Sequence, residues 1–239
     1  MTYCVAIKVD AGLIFCSDSR TNAGVDQVST YSKMYHFGIE GDRQIVINSA
    51  GNLATTQAVI AKIRKDIKDG ADISIATLNS IGEIADYVGE INVAVQEKHA
   101  NNNSNVSFEA SFLLGGQIGV ETPAVMMIYP QGNHITTSNQ TPYLQIGESK
   151  YGKPILDRIL KPETGLDTAA LCALVSMDST MKSNLTVGPP IELMTYATNS
   201  GVMRHSLFEA DNQYLRELTK SWDCQIIEAF LRLPPPPQN

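Results

Sequence analysis

The sequence predicts an α+β fold, a four-layer αββα sandwich, and three observations lead there. Blocks of strand-patterned sequence alternate with pairs of helix-patterned segments along the chain. The strands carry apolar residues on both alternating sets, as strands buried on one and a half to two faces do. No linker-like stretch interrupts the series. Two sheets packed face to face with helices outside satisfy all three.

The first fifty residues read as β. Tyr3, Val5, Ile7 and Val9 alternate with Cys4, Ala6 and Lys8, Asp10-Ala11-Gly12 offers a turn, and Leu13-Ile14-Phe15-Cys16 runs back. A polar stretch from Thr21 to Ser32, containing Gly24, leads to Lys33-Met34-Tyr35-His36-Phe37. A Gly41-Asp42 turn then leads to Arg43-Gln44-Ile45-Val46-Ile47. Here the period changes. Val59, Ile63 and Ile67 predict a helix across 51–68 with Gly70 as its C-cap. Ile81, Ile84, Val88, Ile91 and Val95 form the strongest helical stripe, with Ser74 or Thr77 as N-cap and the polar run Asn101 to Asn105 as its end. Strands are expected at Val106 to Ile118 and Pro123 to Tyr129, followed by a Pro130-Gln131-Gly132 turn. Shorter ones are expected near His134 to Thr137 and Tyr143 to Ile146. A second helix pair runs from Ser149 to before Pro162 and from Asp167 to Met181. Ile191 to Ala197 and Val202 to Phe208 return to strand, and an amphipathic helix from Asn212 to Leu233 ends at Pro234 to Pro237. Residues 1–233 are expected to form a single domain and 234–239 a Pro-rich C-terminal tail.

Composition excludes several function classes. Of 239 residues 43% are hydrophobic, enough for a sizeable core, and 18 Lys+Arg against 25 Asp+Glu give −7. That balance argues against a nucleic-acid or anionic-membrane surface. No apolar run approaches the roughly 18 residues of a membrane span, and the start lacks the basic and apolar regions of a leader. Cys4, Cys16, Cys172 and Cys224 have no CxxC spacing and read as free thiols of a cytoplasmic protein. His36, His99, His134 and His205 never fall at HxxxH or HExxH spacing, so no metal is expected. No GxGxxG follows a strand, and no P-loop or GxSxG is present, so no cofactor is expected either. Gly115-Gly116, between apolar strand residues, reads as a bulge or close-packing point.

That leaves the chain terminus. Thr2 follows Met1, and a small second residue permits removal of the initiator Met. Thr2 would then carry a hydroxyl and a free α-amine, a self-contained nucleophile–base pair, because the amine titrates near ~8. If Asp10-Ala11 turns the hairpin, Thr2 lies opposite Ser19 with Asp18 alongside, so strand geometry alone brings a carboxylate to the terminus. Lys33 opens the next strand and offers a positive charge that lowers the pKa of hydroxyl and amine. Gly51, at a strand-to-helix junction, offers a backbone N–H to an oxyanion. Taken singly each has an ordinary structural role: a turn or cap residue for Asp18, a solvated strand start for Lys33, a helix entry for Gly51. Their conjunction, in this order on this strand pattern, points to a nucleophilic site.

Thr2-Tyr3-Cys4-Val5, Gly12-Leu13-Ile14-Phe15-Cys16-Ser17-Asp18-Ser19-Arg20, Lys33 and Ile47-Asn48-Ser49-Ala50-Gly51-Asn52 together resemble the opening of proteasome β-type subunits. Ile146-Gly147-Glu148-Ser149-Lys150-Tyr151-Gly152-Lys153-Pro154 and Ser183-Asn184-Leu185-Thr186-Val187-Gly188-Pro189-Pro190 resemble one bacterial branch, the Anbu (ancestral β-subunit) proteins, relatives of the HslV peptidase. The likeness extends to about residue 233. It implies an N-terminal-nucleophile hydrolase of the proteasome β-subunit type, a threonine peptidase that cleaves amide bonds through an acyl-enzyme on Thr2 after loss of Met1. It maps the acidic partner to Asp18, the lysine to Lys33, the oxyanion glycine to Gly51 and a supporting serine to Ser149. The sequence departs from the family pattern at two places. Glu148 stands where a Gly-Ser-Gly run is usual, and the family's Asp-x-x-Ser-Gly becomes Asn184-Leu185-Thr186-Val187-Gly188, with Ser183 or Thr186 as candidate substitutes. The implied partners are further copies of the chain (a homo-oligomer, closed ring or open spiral), a peptide or amide substrate, and an unidentified ATPase or operon partner, with no nucleic acid and no membrane. Two other readings stay open: a proteasome-like scaffold of little activity, and an amidase acting on small molecules or isopeptides.

Overall fold

The computed structural model of the chain describes residues 1–22, 28–100 and 107–237. Gly24, the Asn101 to Asn105 run and Val106 lie outside the described residues. In chain order the elements are β1 (Tyr3–Val9), β2 (Gly12–Asp18), β3 (Arg20–Asn22), β4 (Val28–Thr30), β5 (Met34–Ile39), β6 (Arg43–Gly51), α1 (Leu53–Asp69) and α2 (Ile81–Ala100). There follow β7 (Ala110–Ile118), β8 (Ala124–Ile128), β9 (His134–Thr136), β10 (Tyr143–Gly147), α3 (Lys153–Ile159), α4 (Leu166–Ser183), β11 (Ile191–Ala197), β12 (Met203–Phe208) and α5 (Gln213–Leu231). One sheet runs β10-β1-β2-β11-β12, the other β5-β6-β7-β8-β9, and β3 pairs with β4 in a separate ribbon.

The alternation of the strands explains the layering. Tyr3, Val5, Ile7 and Val9 point to one side of the first sheet and pack with Leu156 of α3 and Ala169, Cys172, Ala173 and Met177 of α4. Cys4 and Ala6, with Leu13 and Phe15 of β2, point to the other side and meet Val46, Leu113 and Val125 of the second sheet. The far face of that second sheet, through Ile45, Ile47, Phe112 and Leu114, is covered by Val59 and Ile63 of α1 and by Ile84, Val88 and Ile91 of α2. The order of layers is therefore helix, sheet, sheet, helix, as the pattern of elements predicts. The stripe on α2 covers its own sheet.

Phe15 is the wedge between the sheets. It is fully buried, and a Cβ added to Gly115 on the facing sheet would sit 2.9 Å from its ring. The β6–β7 register continues unbroken through Ile45↔Gly116 and Val46↔Gly115, so the glycine pair is a close-packing point and not a bulge.

Two helix starts differ from the sequence reading. Neither Ser74 nor Thr77 caps α2; they close a turn of their own, with Thr77 N donating to Ser74 O. Ser80 is the cap, its Oγ accepting from Glu83 N at 3.1 Å, while the Glu83 carboxylate accepts from Asn79 N at 2.8 Å. Periodicity alone cannot choose among three hydroxyl residues ahead of one stripe. The third helix begins at Lys153, not Ser149, with Pro154 in its first turn, where its missing N–H costs nothing; Gly152 before it packs against α4, where a Cβ would approach Ser176 Oγ to 2.1 Å. Asn212 caps α5 as expected, accepting from Leu215 N. Among the described residues no helix is long and apolar enough to cross a membrane.

Truncating Phe15→Ala removes the wedge where the facing glycine supplies no side chain to refill it. We expect a loss of about 3–5 kcal/mol in urea unfolding; a loss below about 1 kcal/mol would show that the sheets collapse onto the gap.

Candidate active site

The first hairpin sets the geometry. Its register pairs Cys4 with Ser17 and Val9 with Gly12, which carries Asp18 to the level of Tyr3. Asp18 is wholly buried. Its Oδ1 accepts from Tyr3 N at 3.0 Å and from Lys33 Nζ at 2.7 Å, and its Oδ2 accepts from Gly188 N at 3.3 Å. Lys33, immediately before β5, is only 6% exposed, so this is a buried ion pair and not a surface one. Its ammonium also donates to Arg20 O at 2.6 Å, and its carbonyl accepts from Ser49 N at 2.9 Å. Burial pushes the Asp18 carboxyl above its ordinary range, against the pull of the Lys33 charge, the Lys33 hydrogen bond and the Tyr3 and Gly188 N–H groups.

Thr2 enters β1 half-buried beside this pair, and its carbonyl accepts from Glu148 N at 2.7 Å. The contact depends on Gly147, whose φ is +81° and where a Cβ would lie 2.0 Å from Thr2 O. Gly51 closes β6 at φ +112°, with the Glu109 carbonyl 2.4 Å from the position a Cβ would take. No other residue type fits either place without displacing backbone. Tyr3 anchors the strand behind the terminus: its buried hydroxyl lies 2.6 Å from Ser176 Oγ on α4 and accepts from Gln145 Nε2 at 2.8 Å.

A cleft of about 290 Å³ opens on the terminus, walled by Met1, Thr2, Thr21, Lys33, Tyr35, Ser49 and Gly51 among others. A second lobe of about 440 Å³ adjoins it through Ala50, Gly51 and Gly147 and reaches Glu109 and Pro130. The buried Thr21 Oγ1 in the first lobe has no hydrogen-bond partner among the described residues. The Met1 amine is held below its ordinary value, chiefly by burial and then by the Lys33 charge; Asp18 and Glu148 oppose that. Among the described residues no three His, Cys, Asp or Glu side chains gather as a metal would require.

Thr2, Lys33 and Gly51 thus share one cleft, with Asp18 behind Lys33. Ser149 is half-buried and is not among the residues walling either lobe. The residue that meets the terminus is its neighbour Glu148, only 9% exposed, whose carboxylate accepts from Asn184 Nδ2 at 3.2 Å. Thr186 in turn fixes Asn184, its N and Oγ1 donating to Asn184 Oδ1 at 3.0 and 2.6 Å. Ser183 is exposed at the end of α4. Glu148 escapes sequence reasoning because only the pairing Tyr3↔Gly147 brings it to the terminus.

No protein-family profile matches the chain, and no curated protein does. Solved structures do. It is similar to "Anbu (ancestral beta-subunit) from Yersinia bercovieri", with 42% identity and a TM-score of 0.94 over 99% of this chain and 100% of that one. The subunit in "Helical Assembly of the Anbu Complex from Pseudomonas aeruginosa" gives 42% and 0.94, over 99% and 98%. A mutant Anbu from Hyphomicrobium sp. strain MC1 gives 38% and 0.93 over the whole of both chains.

The buried pair makes an energetic prediction. Lys33→Met leaves a buried carboxylate without its cation and is expected to cost about 3–5 kcal/mol in chemical unfolding. The double variant Asp18→Asn/Lys33→Met removes both charges and should lose at least about 1 kcal/mol less than the sum of the single losses. Simple additivity would show that the two groups do not act as a pair.

Proposed function

The chain belongs to the Anbu (ancestral β-subunit) family, a proteasome-β-like scaffold, and on that footing we propose that it is an N-terminal threonine hydrolase acting on amide bonds once Met1 is removed. The observation that carries this reading is the convergence of Thr2, Lys33 and Gly51 on one cleft, with Lys33 held by a buried Asp18.

In the proposed reaction the free amine of Thr2 takes the proton from the Thr2 hydroxyl as Oγ attacks the carbonyl carbon of the substrate. The carbonyl π electrons move to oxygen, and the oxyanion is met by the Gly51 N–H. The ammonium returns its proton to the leaving nitrogen as the C–N bond breaks, which leaves an ester on Oγ. Water then attacks the ester with the same amine as base, releasing the acid and restoring Thr2. Lys33 favours the alkoxide character of Oγ, and Asp18 keeps the ammonium of Lys33 in place. The two adjoining lobes support an extended substrate lying across Thr2. The enzyme is proposed to work in the cytoplasm as a homo-oligomer. The helical assembly of the Pseudomonas aeruginosa relative supports the oligomer, as do the exposed Ile227, Phe230 and Leu231 of α5.

A peptide epoxyketone tests the chemistry, because its stable adduct needs hydroxyl and amine on the same residue. Protein whose intact mass proves a Thr2 terminus should form the adduct, and Thr2→Ala should not. No adduct on the verified terminus, or Met1 retained in protein from its native cells, would favour the scaffold reading.

The pH dependence follows from the charges at the terminus. The amine acts deprotonated; burial and Lys33 lower the pKa of the Met1 amine at this terminus, and the Thr2 amine that replaces it beside the same groups is expected to be lowered too, so activity should rise with pH and reach half its limit below the ordinary α-amine value of about 8. A midpoint above about 8 in the kcat/KM profile would contradict that setting.

A further inference from the structure

Glu148 has no role in the reaction as drawn so far, yet its position is heavily specified. The backbone reaches it through Gly147, where only glycine fits between the chain and the Thr2 carbonyl. Its own N–H then donates to that carbonyl at 2.7 Å, fixing the peptide plane on the C-terminal side of the nucleophile. Its side chain does not turn to solvent. It is nearly buried and receives the Asn184 amide, which Thr186 orients through two hydrogen bonds. A buried carboxylate is costly unless something uses or compensates its charge. Its hydrogen-bond partner is a neutral amide, and its charge acts on the amine at the terminus, which in this structure is that of Met1.

Resting on the hydrolase reading above, we propose that Glu148 is the positioning residue for the Thr2 amine. Its N–H holds the Thr2 carbonyl, and its carboxylate, aimed by Asn184, stabilises the ammonium that forms when the amine takes the hydroxyl proton. Three charged groups face the terminus. Lys33, ahead of β5, opposes protonation; Asp18 at the end of β2 and Glu148 after β10 favour it. The connection from α4 to β11 contributes the neutral Asn184. Asp18 acts on the amine more strongly than Glu148 does, but it also accepts from Lys33 and from two backbone N–H groups, which fix it in place behind the strand ends. Glu148 adds the second carboxylate, held against the Thr2 carbonyl by its own N–H, and through it Asn184 and Thr186 act on the reaction without touching substrate.

The test reads the amine directly and needs no turnover. Protein with a verified Thr2 terminus is carbamylated with cyanate across pH 5–9 (about that range brackets the amine), and modification of Thr2 is followed by peptide mass. Glu148→Gln removes the negative charge, so the amine should titrate lower by about half a unit or more, and labelling at pH near 6 should quicken about threefold. Glu148→Asp keeps the charge and should return the profile most of the way. The acid limb of the kcat/KM profile should move in parallel. If Glu148→Gln does not fold, Asn184→Ala, which releases the carboxylate from its aim, should shift labelling in the same direction by a smaller amount. A labelling profile unmoved in the folded variants, beside a normal epoxyketone adduct, overturns the role of Glu148 and leaves the hydrolase reading standing. A shifted labelling profile without any adduct on wild type does the reverse: the carboxylate governs the amine, but the amine does not serve that hydrolysis.

Discussion

The contact between Asp18 and Lys33 is the constraint on which the site depends. One buried carboxylate gathers the start of β1 through Tyr3 N, the approach to β5 through Lys33, and the approach to β11 through Gly188 N. Lys33 then binds β6 through its carbonyl and β3 through Arg20 O. These segments belong to both large sheets and to the β3–β4 ribbon. A charged pair inside a protein is a poor source of net stability, since desolvation consumes most of its attraction. What it imposes is mutual position. Either charge left alone would be expensive, so these strand ends are held in one arrangement.

That arrangement needs a rigid frame. The two sheets supply it, with β1 and β2 central in the first and β6 and β7 in the second, each buried on both faces. Phe15 sets the spacing between them against Gly115, and the Tyr3 hydroxyl ties β1 outward to α4. Thr2 therefore stands immediately before a clamped strand. A nucleophile on a fraying end could not keep near-attack geometry against a cleft wall; on a strand fixed from its next residue onward it can.

Much of this is legible in the sequence wherever the controlling interaction is local. A two-residue turn dictates a hairpin register, so the level of Asp18 against the strand start follows from counting. The change from period two to period four places Gly51 at the strand-to-helix junction, and Asn52 caps the helix there. What local sequence does not reveal has the opposite property. Ser149 and Glu148 are adjacent, and which of them meets Thr2 is decided by the β1–β10 pairing and by a positive φ at Gly147, neither of which leaves a local signature. The cap of α2 is a different case: its signal is local, Ser80 and Glu83 standing at capping-box spacing, but the apolar stripe by itself does not carry it.

The chemistry at the terminus can be understood as a balance between charges on opposite sides. A group that must accept a proton and then return it works best with a pKa near the ambient pH. Burial and Lys33 push the Met1 amine down, and under the proposed hydrolysis the same surroundings, taken alone, would make the Thr2 amine a weak base. Carboxylates supply the counterweight: Asp18, on which three donors converge, acts the more strongly, and Glu148, whose side chain meets an amide, adds to it. On the proposed reading, the part played by Asn184 and Thr186 is to aim the Glu148 carboxylate.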